Sequence, residues 1–299
     1  MDNVSFCTIT THSHLYKVYA LADSIMPYKL HVLLIDSNKI PLINKDNIAF
    51  VTLNQIINDL SIKIIDKYST NANKLRWGLK PVFLSYLLNH HVSVIYLDND
   101  ILFYADPAFL FEKLSYSSVL LTPHFYETNP NNNQNWFEAN YRVGLFNAGF
   151  IGVNFNALGF LKWWSNCCLY NIKKSFTRGL FDDQKYLDLV PILFDNVEIL
   201  KHPGCNFAGW NYKNYQLDRN QFGEILINNQ HKIIFIHYAE LSCIVFSKID
   251  NPLLPEYNYY NLLLKQYNAK YSFKRKIFNI NTFITYLYFL IWKFKRLFE

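Results

Sequence analysis

The chain has 299 residues, 51% of them hydrophobic and 17% charged, which excludes a disordered, collagenous or low-complexity protein. Five cysteines (Cys7, the adjacent Cys167 and Cys168, Cys205 and Cys243) show no CxxC or zinc-finger spacing; this excludes a disulfide framework or structural zinc module and predicts reduced, buried thiols. Of the net charge of +6, residues 272–299 carry +5 through six Lys or Arg and one acid, so no diffuse basic field supports a nucleic-acid groove.

In chain order, Val4 to Thr10 reads as a strand, from its β-branched and aromatic content, and Tyr16 to Ile25 as a helix. The first six residues lack a basic region followed by an apolar run, so a cytoplasmic location is expected. Lys29 to Asp36 is a nearly all-apolar strand and Ile48 to Leu53 a weaker one. Lys74 to Leu88 has a helical pattern disturbed early by Pro81, and Val92 to Leu97 is an apolar strand running into Asp98-Asn99-Asp100. Next come a strand at Ser118 to Leu121, a polar loop or lid from His124 to Gln134, and a strand at Leu145 to Val153. Phe160 to Cys168 is helical, and Phe181 to Leu189 begins another helix with Asp182 and Asp183 near its start. Asn196 to Leu200 is a short strand, Gly204 to Tyr212 a Gly, Asn and aromatic loop, and Lys232 to His237 a last strand ending in histidine. Strands alternating with helices, several apolar on both faces, predict an α/β fold with a mostly parallel sheet. Ligands in that architecture sit at the carboxyl ends of the strands.

The sharpest chemical signal is Asp98-Asn99-Asp100. Alternate residues of an extended segment point the same way, which puts the two carboxylates on one side, about 7 Å apart. Two hard oxygen ligands can then hold a divalent cation and leave positions for phosphate oxygens.

The ordered set Phe6-Cys7-Thr8-Ile9-Thr10-Thr11, Leu79-Lys80-Pro81, Val94 to Asp100, Phe146-Asn147-Ala148-Gly149-Phe150, Asp183-Gln184 and a late strand ending in His237 resembles the GT-A nucleotide-sugar glycosyltransferases. It is most similar to the retaining family 8 type and to related bacterial surface-glycan transferases, over roughly residues 4 to 245. The resemblance implies a Rossmann-like GT-A domain at residues 1–250. It implies Mn²⁺ or Mg²⁺ held by Asp98, Asp100 and His237, although the Gly and Lys that follow this His in the family are absent from His237-Tyr238-Ala239-Glu240. Asn147, Asp183 and Gln184 would meet the donor sugar; an amide there stabilises an oxocarbenium-like centre without a strong nucleophile and so fits retention. Ala148 and Gly149 would let the backbone approach the donor, with Asn99 beside them. Thr10, Thr11, Tyr16 and Asp36 would contact the nucleoside, and Arg76 and Lys80, four apart on one helix face, the diphosphate. Asn206, Trp210 and Asn211, with the His124 to Tyr141 loop, are the expected acceptor contacts.

Residues 251–299 form the other expected unit, a basic, amphipathic helical tail. Its segment Ile277 to Trp292 is 16 residues with two Asn and two Thr, short of the roughly 20 apolar residues that span a bilayer. With Lys274-Arg275-Lys276 before it and Lys293, Lys295 and Arg296 after it, it suits the headgroup region of an anionic leaflet. The expected protein is therefore a cytoplasmic, metal-dependent transferase at the inner membrane face. It would move a hexose from a nucleoside diphosphate, UDP first, to a lipopolysaccharide, capsule or other lipid-linked glycan. Its rivals are a protein side-chain glycosyltransferase and a non-catalytic nucleotide- or glycan-binding membrane-peripheral protein.

Overall fold

A computed structural model describes residues 3–41 and 45–272. The strand β1 (Val4–Thr10) is buried on both faces: Phe6 faces one hydrophobic cluster, Cys7 and Ile9 the other. The same split recurs in β4 (Ser93–Leu97), where Val94 and Tyr96 join Cys7 and Ile9 while Ile95 and Leu97 join Phe6. That alternation is what a strand covered by helices on both sides requires. One cover is α1 (Leu15–Ser24) with α4 (Ala108–Tyr116); the other is α2 (Asp59–Tyr68), α3 (Ala72–Leu87) and α6 (Leu158–Tyr170).

The central sheet has seven strands in the order β3-β2-β1-β4-β7-β6-β8, with β2 (Leu30–Leu34), β3 (Ile48–Thr52), β6 (Val119–Pro123), β7 (Phe146–Asn154) and β8 (Val197–Ile199). All neighbouring pairs are parallel except those of β7, which runs antiparallel to β4 and β6. The mostly parallel α/β architecture expected from the sequence is therefore present. β5 (Ile101–Phe103) pairs antiparallel with β12 (Phe235–His237), and β9 (Leu217–Arg219), β10 (Ile225–Ile227) and β11 (His231–Lys232) form a small sheet.

Several local expectations are corrected. The segment Lys232 to His237 is two strands with different partners: β11 ends on β10, and β12 starts afresh on β5. The stretch from Phe181 is a turn followed by a 3₁₀ segment at Lys185–Leu189 and the single turn α7 (Val190–Leu193). Asp182 has φ of 50°, a left-handed conformation that no helix start adopts. Pro81 lies inside α3 without ending it, so Trp77 loses one intrahelical N–H donor. The Asn-rich loop is followed by a helix, α5 (Gln134–Arg142), whose first turn is capped by the last Asn of the run: Asn133 Oδ1 accepts from Trp136 N–H at 3.2 Å.

The first compact unit runs to Ala269. The reason is α9 (Leu254–Tyr267), which lies against α1: the Tyr19 and Tyr267 rings are 5.3 Å apart. Asp23 accepts from both Tyr267 and Lys45. α9 is also stacked through Tyr260 on Tyr238 at 4.0 Å, just before α8 (Glu240–Phe246). The apolar tail segment Ile277 to Trp292 lies outside the described residues. Among those described, no helix is long and apolar enough to cross a membrane. All five cysteines are free thiols, four of them buried.

Candidate functional site

Three pairings bring the chemistry together at the carboxyl end of β4. The β5–β12 register sets His237 opposite Ile101, so the imidazole falls beside Asp100, with Nε2 3.2 Å from Asp100 Oδ1. The β4–β7 register pairs Leu97 with Phe150, and Asp98 N–H donates to Gly149 O at 2.8 Å, which puts the Asn147-Ala148-Gly149 strand under Asp98. At the end of β1, Thr10 Oγ1 accepts from Asn99 Nδ2 at 3.1 Å.

Asp98, Asp100 and His237 each offer a ligand atom, all within 4.8 Å of one another. Two carboxylate oxygens and one imidazole nitrogen suit Mn²⁺ or Mg²⁺, Mn²⁺ more so for the nitrogen. The space below them fits this reading. A Cβ on Gly149 would lie 2.7 Å from His237 Cε1 and 2.9 Å from Asp98 Oδ2, so only glycine lets these groups converge. Around Asp100, burial raises the carboxyl pKa, but Lys17 and His237 outweigh it and hold the group well below its ordinary value.

Lys80 is the electrostatic floor. Only 1% exposed, it donates to Ala148 O at 2.9 Å and lies 3.0 Å from Asp183 Oδ2 and 3.4 Å from Asp98 Oδ1. Burial opposes its charge, yet Asp183 and Asp98 overcome this and keep its pKa above the ordinary value. Asp183, equally enclosed, is pushed up to about 6 by burial, against the pull of Lys80. Tyr96 OH donates to Asp98 Oδ1 at 2.9 Å and fixes that carboxylate from the other side.

The amide network behind His237 is fully determined by two backbone groups. Asn147 Oδ1 accepts from Gly149 N–H at 2.7 Å, and Asn206 Nδ2 donates to Pro123 O at 2.9 Å. These fix both amides, so that Asn147 Nδ2 donates to Asn206 Oδ1 at 2.9 Å and faces His237 Nδ1 at 3.0 Å. Asn211 Nδ2 and Trp210 Nε1 both donate to His124 O at 2.9 Å, and the Trp210 ring meets the His237 ring edge-on at 5.4 Å. His124 stacks on Tyr126, and Tyr126 on Trp136 of α5, so an aromatic row joins His237 to that helix. Burial and then His237 pull the His124 pKa down to about 3, which keeps its ring neutral.

Thr10, Asp98, Asn99, Asp100, Asn147, Ala148, Gly149, Asp183 and His237 lie together at this end of the sheet, whereas others are placed differently. Lys80 is beneath the carboxylates rather than on an open face. Asn206 and Asn211, 0% and 1% exposed, spend their polar atoms inside the protein, while half-buried Trp210 packs its ring against His237. Arg76 lines the cleft with Trp77, Tyr96, Asp98, Asn99 and Asp100. Asp36 accepts from the His12 backbone N–H at 2.9 Å, and Thr11 Oγ1 pairs with Ser13 and with His14, whose ring stacks on Tyr16 at 6.4 Å. Gln184 donates to Val143 O at 3.3 Å, just beyond α5. The sequence reading missed Lys17, whose Nζ is 3.6 Å from Asp100 Oδ2. Its signal was a lone cation in the first turn of α1, where the helix dipole disfavours positive charge unless an anion is near.

No family model matches the chain. Two proteins of Bacillus subtilis (strain 168), both described as uncharacterized, are similar to it over most of their length. YfnF is 28% identical over 263 residues, 82% of this chain and 84% of its own. YfnD is 26% identical over 253 residues, 80% and 78% respectively. Among solved structures, the galactosyltransferase LgtC in complex with donor and acceptor sugar analogs superposes with a TM-score of 0.54 at 14% identity, covering 91% of this chain and 98% of that one. The apo form of the glycosyltransferase GlyE from Streptococcus pneumoniae TIGR4 gives 0.50 at 14% identity, covering 90% of this chain and 64% of that one. At these identities the likeness is one of fold: the chain has the GT-A glycosyltransferase fold.

Proposed function

We propose that the chain is a glycosyltransferase that moves a hexose from a nucleoside diphosphate sugar, UDP-hexose first, to a glycan acceptor with retention of anomeric configuration. The observation that carries this reading is the meeting of Asp98, Asp100 and His237 within 4.8 Å at the strand carboxyl ends of a GT-A fold, where such sheets bind ligands. Bound Mn²⁺ or Mg²⁺ would supply the positive charge that lets the diphosphate depart as negative charge builds on it. Asp98, Asp100 and His237 hold the ion in this reading. Thr11, Tyr16 and Asp36 face the nucleoside and Arg76 the diphosphate. Asp183 accepts from sugar hydroxyls while Lys80 holds its carboxylate in place. That anchorage also keeps Asp183 from serving as a nucleophile, and the Gln184 amide supports return of the acceptor on the face the leaving group vacates; Asn147, its amide taken up by Gly149 N–H, Asn206 and His237, positions His237 instead.

The acceptor we propose is a lipid-linked surface glycan such as lipopolysaccharide or capsule, at the cytoplasmic face of the membrane. The free thiols support a reducing compartment, and the net +5 of residues 272–299 supports attraction to an anionic leaflet. The full chain should sediment with phosphatidylglycerol vesicles and a version ending at residue 271 should not; equal sedimentation of the two would sink the membrane reading.

The catalytic reading is tested by calorimetric titration of nucleoside diphosphates with and without Mn²⁺, on the parent and on Asp98→Asn. One nucleotide should bind in a Mn²⁺-dependent way, and the substitution should weaken it at least tenfold and lower transfer by about 10²–10³. Unchanged nucleotide binding and turnover in Asp98→Asn would remove the carboxylate from the mechanism.

A further inference from the structure

Resting on that reading, a diphosphate beside the cation needs positive charge beyond the ion itself, because two carboxylates already neutralise a divalent ion. Among the described residues, three side-chain cations bear on Asp98 and Asp100, and they are placed differently. Lys80 is enclosed and divided between Asp98, Asp183 and Ala148 O. Arg76 lines the cleft, spends only Nη2 on Asn73 Oδ1 at 2.6 Å and leaves Nε without a partner, so it can share the diphosphate, but it makes no ion pair with either carboxylate among the described residues. Lys17 has one anionic partner, Asp100, at 3.6 Å, and its side chain keeps 20% exposure. Burial, then Lys17 and Arg76, lower the His14 pKa, so both cations reach the same part of the site. On the far side, α8 brings the Cys243 thiol into the field of Asp100 and Lys17, and the helix Glu240–Phe246 contains no Lys or Arg.

We propose that Lys17 is the diphosphate-contacting lysine of this protein. In the free protein its ammonium occupies Asp100. A divalent ion on Asp98 and Asp100 displaces it, and the released ammonium, held on the first turn of α1, turns to the diphosphate oxygens. Lys17 thus competes with the cation when nucleotide is absent and cooperates with it when nucleotide is present. A lysine that only holds Asp100 in shape would do neither.

The test is Mn²⁺ binding followed by electron paramagnetic resonance, and calorimetry with nucleoside diphosphates in saturating Mn²⁺, on the parent, Lys17→Met and Lys17→Arg. Lys17→Met should bind Mn²⁺ alone severalfold more tightly than the parent and the nucleoside diphosphate about tenfold more weakly. Lys17→Arg should restore most of the nucleotide affinity. Weaker Mn²⁺ binding in Lys17→Met, or nucleotide affinity within twofold of the parent, overturns the proposal while leaving the transferase reading standing. A parent that binds Mn²⁺ but none of the nucleoside diphosphates overturns both.

Discussion

Lys80→Met should destabilise the protein by about 3–5 kcal/mol, the range for removing one partner of a buried ion pair. Lys80 is 1% and Asp183 3% exposed, so no water replaces the lost ammonium, and Asp98 loses its second contact at 3.4 Å. The pH dependence has a definite sign. The Asp183 pKa stands above that of an unfolded carboxyl, at about 6. Its contribution to stability is therefore complete below the ordinary carboxyl range and is lost as pH rises through that value. Without Lys80 the pKa climbs further, so the variant should lose more stability, relative to the parent, at pH 8 than at pH 5. Adding Asp183→Asn should recover the larger part of the loss, because it removes the stranded charge. Urea melts of the parent, both single variants and the double variant at the two pH values check this; a loss under 1 kcal/mol in Lys80→Met would show that the pair is not the floor of the site.

The sequence disclosed the chemistry best where one short segment carries both the structure and the ligands. Val94 to Asp100 shows as an apolar strand running into two spaced acids, but the acids meet for another reason than the alternation of an extended strand: β4 ends at Leu97 and Asp98-Asn99-Asp100 is a turn closed by Ile101 N–H on Asp98 O at 3.1 Å. The apolar runs of β1 and β2 are likewise visible without their partners. What a linear reading could not supply is long-range pairing. Ile101–Phe103 is three residues long and becomes a strand only because it pairs with Phe235–His237, and that pairing delivers His237 to Asp100. The role of Lys80 is hidden in the same way: its spacing from Arg76 indicates a shared helix face, while its burial depends on Asp183, a hundred residues away in a turn. Asn206 and Asn211 are polar residues in a glycine-rich loop, a pattern that suits a sugar-binding surface equally well. Only the backbone carbonyls of Pro123 and His124 show that their amides are already spent.

Gly149→Ala should damage the site more than any other change of a single methyl group. The added Cβ would lie 2.7 Å from His237 Cε1 and 2.9 Å from both Asn147 Oδ1 and Asp98 Oδ2, closer than real Cβ contacts run. None of the three can retreat without cost. His237 is backed by Asn147 and the Trp210 ring, Asn147 is fixed by Gly149 N–H and Asn206, and Asp98 is held between Tyr96 and Lys80. The overpacking should cost about 1–3 kcal/mol of stability. A cation site is more sensitive still, since misplacing reacting groups by about 1 Å can lower the rate about 10²-fold. Mn²⁺ affinity should therefore fall at least tenfold and transfer at least 10²-fold. Gly159→Ala is the matched control: its Cβ would meet nothing within 4 Å, and in α6 it should leave Mn²⁺ binding unchanged and raise stability by about 0.4–1 kcal/mol. If Gly149→Ala keeps parental Mn²⁺ affinity, the ion does not lie where Asp98 and His237 converge. The cation would then have to be sought on the outer side of Asp100, toward Lys17.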